Sequence, residues 1–160
     1  GEDYQFPKTA KEQYIAHIKT KLKAPSPTWF YKRELYDKLG GYDEHFRSLD
    51  DMPLLLKMLK SGHALSFLPK VTLKYRITQT SLSSSRGKTG KQKQPYYQSR
   101  SSYYYELVVP ELKKNRLYGV LICKNLIHFL YRKKIYCPDN SLRRYLFGMC
   151  FTIMSKLENF

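Results

Sequence analysis

"LDDMPLLLKMLKSGH", residues 49–63, sets two adjacent acids before an apolar run that closes on a glycine. The run predicts a helix from about Met52 to Ser61, with Pro53 in the first turn, where its missing N–H costs nothing. Ser48-x-x-Asp51 is a helix-start signature, and a carboxylate there gains ~0.3–1 kcal/mol from the helix dipole. One cap is enough, however, and two neighbouring carboxylates repel each other. The chain has only 13 Asp and Glu against 29 Lys and Arg, so the second acid calls for a reason other than capping.

Upstream, Thr9-Ala-Lys-Glu12 reads as a capping box. Ile15, Ile18 and Leu22 mark the buried stripe of a helix running to about Lys23, and Pro25 and Pro27 end it. "PTWF" reads as extended, followed by a short helix from about Lys32 to Leu39 that Gly40 and Gly41 stop. "YDEHFRSLDD" has no period and reads as a loop. Downstream, "HALSFLP" and "KVTLKYRI" predict two short strands, the second alternating Val71, Leu73 and Tyr75 with Thr72, Lys74 and Arg76. Residues 81–102 are polar, basic and of low complexity, the composition of a mobile loop or linker. Helices follow at roughly 102–114, 116–133 and 140–157.

A length of 160 residues suits one compact domain. The net charge of +16, with 15 tyrosines often beside Lys or Arg, points to a polyanion, an anionic membrane face or a phosphorylated ligand, without choosing among them. Cys123, Cys137 and Cys150 are odd in number and lack metal-ligand spacing, which fits a reduced, cytosolic setting. Residues 1–23 do not read as a signal peptide, and no apolar run reaches the ~18 residues of a membrane span. Of the histidines, His17 and His45 read as surface residues, His63 leads into the first strand, and His128 lies on the polar strip of its helix with Lys124 and Asn125. None pairs with Cys or acids at metal-ligand spacing, so no protein-only metal site is expected.

Four pieces in order give a more specific reading. Gly40-Gly41-Tyr42-Asp43-Glu44, the pair Asp50-Asp51 opening a helix with Lys57 and Gly62, the strand end Tyr75-Arg76, and Ser81-Leu82-Ser83 together resemble the C-terminal, acceptor-side half of the GT-A, family-2 glycosyltransferases of bacterial polysaccharide synthesis. The resemblance covers about residues 25–84. It implies an α/β fragment of a Rossmann-like GT-A fold, mostly helical with a short two-strand element and followed by a helical tail. It implies an inverting transfer of a sugar from a nucleotide-sugar donor to a hydroxyl of a saccharide or lipid-linked acceptor. Asp51 would then be the general base and Asp50 would orient the acceptor, its like charge raising the pair's affinity for a proton. Trp29 and Gly41 would belong to the acceptor site, and Arg76 would grip the donor diphosphate. Asp43 and Glu44 read as loop-shaping residues.

The sequence departs from that family in two respects. Where metal-binding members often carry a histidine after the Tyr-Arg pair, this chain has Thr78. The Asp-x-Asp that holds Mg or Mn across the donor diphosphate is missing, so the cation is expected in a longer enzyme and no cofactor in this chain. The expected organisation is an acceptor-side part over 1–84, a basic linker over 85–101, and a helical tail over 102–160 that packs on itself or lies on an anionic membrane surface. A cytoplasmic location, peripheral on the inner face of the plasma membrane, follows from the resemblance. Two rivals lie outside catalysis: a basic nucleic-acid-binding module, for which no reading motif is present, and a membrane-associating module.

Overall fold

Local signals account for the helix starts and stops. The computed structural model describes residues 6–46, 49–74, 76, 96, 98–136, 146 and 149. Helix α1 (Ala10–Ile18) opens on the expected capping box: the Thr9 hydroxyl accepts from the Glu12 N–H at 3.2 Å, and the Glu12 carboxylate accepts from the Thr9 N–H at 3.0 Å. The helix ends at Ile18, five residues earlier than its apolar stripe predicts. Thr20 adopts a left-handed φ of 58°, and the N–H groups of Thr20 and Lys21 close back on the carbonyls of His17 and Ala16. That closure satisfies the helix's last carbonyls and redirects the chain. After a 3₁₀ turn at Ser26–Thr28 comes α2 (Arg33–Lys38), stopped as expected by Gly40 and Gly41, with φ of 76° and 62°. Helix α3 (Asp51–Lys60) ends at Gly62, φ 86°, where the His63 N–H bonds the Met58 carbonyl.

Over the described residues the two expected strands do not form. Among the described residues no β-ladder is present, and residues 63–74 run as irregular chain. Val71 and Leu73, assigned to a buried face, are exposed, Val71 almost completely. A strand needs a neighbour for its N–H and C=O groups, and here a side chain takes that part. The buried Gln13 amide donates to the Leu65 carbonyl at 2.7 Å and accepts from the Leu65 N–H at 2.8 Å. It also donates to the Pro7 carbonyl at 2.7 Å.

Residues 98–102 are already helical and lead into π-helical turns at Tyr103–Val108, which continue as α4 (Val109–Lys114). Pro110 has no N–H to return to the preceding turn, which favours the wider i→i+5 pattern seen from Val109 to Tyr104. The π turns bury Tyr103, Tyr104 and Val108 together. Arg116, at φ 57°, turns the chain into α5 (Tyr118–Tyr136).

Helix α1 packs on α3, and α4 packs on α5. The core joins Ile18, Phe46, Leu56, Tyr103, Tyr104, Val108, Leu112 and Leu121. A polar clasp closes its edge: Lys60 and Tyr14 both bond the Glu111 carboxylate, Tyr14 at 2.5 Å, and Asn115 donates to Tyr14 at 2.7 Å. Burial raises the Tyr14 phenol to about 12, with the Glu111 bond adding to it. Burial alone would raise Glu111 too, but the Lys60 and Tyr14 hydrogen bonds and the charges of Lys60 and Lys114 hold it below its usual value. Expectations for Ser48, Tyr75, Ser81-Leu82-Ser83, the basic loop before residue 96 and most of the last helix fall outside the described residues.

Candidate functional site

The paired acids sit at the start of α3, and neither works as a conventional cap. Asp50 occupies the N-cap position with helical backbone angles (φ −62°, ψ −28°), and its side chain makes no capping hydrogen bond. A capping residue normally adopts an extended conformation so that its oxygen can reach back to the first turn. Asp51 is the first helical residue, half-buried, and among the described residues accepts only from its neighbour, the Met52 N–H, at 2.8 Å.

Two aromatic groups flank the pair. On one side, Tyr31 stacks on Tyr36 with ring centres 5.8 Å apart, Tyr42 meets Tyr36 edge-on, and the Tyr31 and Tyr42 hydroxyls share a hydrogen bond at 2.7 Å. The Tyr31 hydrogen bond and burial push the Tyr42 phenol up, and the negative charge of Asp50 adds to this. Asp50 is thus within electrostatic reach of the Tyr42 hydroxyl. Gly41 holds the cluster together: its N–H bonds the Tyr36 carbonyl at 3.0 Å, and the Tyr36 ring lies where a Cβ would sit. Lys57 reaches from α3 to the Leu39 carbonyl at the end of α2, at 3.5 Å, a favoured place for a cation.

On the other side is His17. It is buried rather than on the surface as its sequence context predicts, with its Nε2 hydrogen-bonded to the Tyr103 hydroxyl at 2.6 Å. Burial pushes its pKa down to about 4, against the opposing pull of Met52 and of the Asp51 charge. The ring is thus neutral at pH 7. Burial and the Asp51 charge push the Tyr103 phenol up, so both members of this hydrogen bond are neutral at pH 7. Asp51 lies within electrostatic reach of both.

The structure thus packs Gly41 into the tyrosine cluster, with Asp50 within electrostatic reach of Tyr42 and Asp51 within reach of His17 and Tyr103. Trp29 closes the 3₁₀ turn half-buried, and its indole Nε1 is buried with no hydrogen-bond partner among the described residues. Arg76 is exposed, and no contact described here joins it to the acids. Asp43 shapes its loop as expected by accepting from the His45 N–H at 3.0 Å, while His45 pairs with Glu106. Among the described residues no three His, Cys, Asp or Glu side chains gather to hold a metal, and no step below runs through one. Likewise, among the described residues, no helix is long and apolar enough to cross a membrane. The tyrosine cluster and the His17–Tyr103 pair escaped the sequence reading. The one local hint was Gln13 and His17 at i,i+4 spacing on a helix whose apolar stripe lies elsewhere. No family model, curated protein or solved structure matches the chain.

Proposed function

We propose that this chain is the acceptor-side part of an inverting glycosyltransferase acting on a saccharide or lipid-linked hydroxyl, with Asp51 as general base. The observation that carries this reading is the state of the acid pair. Two scarce carboxylates open α3, yet among the described residues Asp50 makes no capping hydrogen bond and Asp51 accepts only from the adjacent N–H. The second Asp51 oxygen is left for a proton arriving from an acceptor hydroxyl. Asp50, within electrostatic reach of Tyr42, holds a neighbouring hydroxyl of the same acceptor. Tyrosine rings and the half-buried Trp29 give faces on which a pyranose ring stacks, and the Trp29 N–H is a donor for a sugar oxygen. Donor binding, including the role of Arg76 and the divalent cation, belongs to a nucleotide-binding half joined to this one.

Such an enzyme works at the inner face of the plasma membrane, held peripherally. Tyr118, Ile122, Leu126 and Phe129 recur at successive turns of α5 and are all exposed. Arg132, Lys133 and Lys134 follow them in sequence. Apolar side chains flanked by basic ones suit the boundary of an anionic bilayer.

The test is sugar transfer by an enzyme carrying both halves. A positioned general base contributes roughly 10²–10⁴-fold, so Asp51→Asn should lower turnover by at least about 100-fold with circular dichroism unchanged. Asp50→Asn should mainly raise KM for the acceptor. Transfer by Asp51→Asn at the normal rate would remove Asp51 from the role and this reading with it.

A further inference from the structure

A cavity of about 290 Å³ borders the start of α3, and Leu49 and Met52, which flank the acids in sequence, form part of its wall. Leu22, after α1, Val108, in the π-helical turns, and Ile127, on α5, extend this aliphatic lining. Tyr103 and Tyr104 add ring surface, and the exposed Tyr96 and Arg100 lie at the rim.

The buried polar groups of this wall are engaged within the protein. His17 and Tyr103 share a hydrogen bond at 2.6 Å, the Tyr104 hydroxyl donates to Asn125 at 3.2 Å, and Lys124 donates to the Thr20 hydroxyl at 2.6 Å. His128 lies flat on the Tyr104 ring, with centres 4.1 Å apart. Water filling the space would number about ten molecules at roughly 30 Å³ each, and each would need about two to four polar partners. Because the wall's polar groups already bond one another, what it offers is aliphatic and ring surface, which favours apolar atoms. Met52 suits such a wall, since a flexible thioether adapts to what fills the space.

We propose that this cavity binds a hydrocarbon chain of about eight to ten carbons, the tail of an amphiphile whose head stays at the Tyr96 and Arg100 rim. A methylene takes roughly the space of a water, so the volume fits one chain of that length. A polar head gains nothing inside, where the polar groups are already bonded, and keeps its own hydration at the exposed rim. The tail of a lipid-linked saccharide and a free fatty acid share this chemistry. The assignment concerns binding alone and stands whether or not Asp51 is a catalytic base.

Isotope-labelled methionine methyl resonances of the full chain read the site directly, because Met52 lines the cavity and Met58, buried in the same helix, does not. Octyl glucoside, kept below its micelle concentration, should shift Met52 saturably and leave Met58 in place. Across butyl, hexyl and octyl glucosides, affinity should rise about fourfold per methylene and level off beyond about ten carbons. Leu22→Trp and Ile127→Phe, at half-buried positions of the wall, fill the space and should weaken octyl glucoside binding by at least about tenfold. Leu126→Trp, on the exposed stripe of α5, should change it less than about twofold. An unmoved Met58 resonance checks the fold of each variant. Octanoate gives a second arm. Tighter binding of the glucoside supports a saccharide-bearing lipid, tighter binding of octanoate supports a fatty acid with Arg100 as its counter-charge, and equal binding supports the chain alone as what is recognised. No saturable Met52 shift in either arm, the same shift with glucose alone, affinity that ignores chain length, or equal losses from all three substitutions overturns the proposal.

Discussion

Gly40 and Gly41 both take left-handed backbone angles, yet their surroundings differ. A Cβ on Gly40 would meet nothing within 4 Å, whereas one on Gly41 would lie 2.8 Å from the Tyr36 ring. Gly40→Ala therefore costs only the left-handed penalty, about 1–2 kcal/mol. Gly41→Ala must also displace the Tyr36 ring from its stack on Tyr31 and should cost about 2–4 kcal/mol in all. Denaturant midpoints of the two variants check this, and equal losses would show that the Tyr36 ring yields freely. Because Tyr42 packs edge-on against the same ring, Gly41→Ala should also loosen the tyrosine cluster, read as increased quenching of tyrosine fluorescence. The need for glycine at both positions is plain in the sequence, where two glycines follow a short helix. Which of the two meets a neighbour is not, because the ring that decides it returns from the preceding helix.

Most helix starts and stops were open to reading because each depends on a few adjacent residues (the Thr9–Glu12 box, the Gly40-Gly41 stop, Pro53 in the first turn of α3), whereas the early end of α1 at the left-handed Thr20 was not. The irregular chain after α3 was misread for the opposite reason. Its alternation suits a strand, but strands are settled by their partners, and Gln13 supplies Leu65 with a partner 52 residues away. The π turns at Tyr103–Val108 were missed because a template of period 3.6 cannot place three consecutive tyrosines with two of them buried. Gln13 gives this level its prediction. Gln13→Met keeps the bulk but strips both Leu65 groups and the Pro7 carbonyl of their bonds, costing about 1–3 kcal/mol. Hydrogen exchange at the Leu65 amide should speed up, while amides inside α3 slow or quicken only with global stability. An unchanged Leu65 amide would mean that solvent already satisfies that stretch.

At the scale of the whole molecule, His17 ties the two halves of the chain, bonding Tyr103 across 86 residues from a position beside α3. No local pattern announces such a pair, which is why the acids were legible and the groups behind them were not. Its burial makes folding pH-dependent in a definite direction. The unfolded ring takes up a proton near 6.5 and the folded one near 4, so over that interval the unfolded state binds more protons and stability falls with falling pH. Glu111 and Glu12, held below their usual 4.5 by hydrogen bonds, act with the same sign, but their contributions are lost only as pH drops below 4.5. Of these groups, therefore, only His17 acts between pH 4.5 and 6.5, and the loss across that window should be about 2 kcal/mol. Urea unfolding at both pH values measures it. The His17→Gln variant, which keeps a polar side chain near Tyr103 but cannot titrate, should show little of this slope, whatever its absolute stability. A slope that persists in the variant would assign the pH dependence elsewhere, to groups whose protonation folding changes by another route.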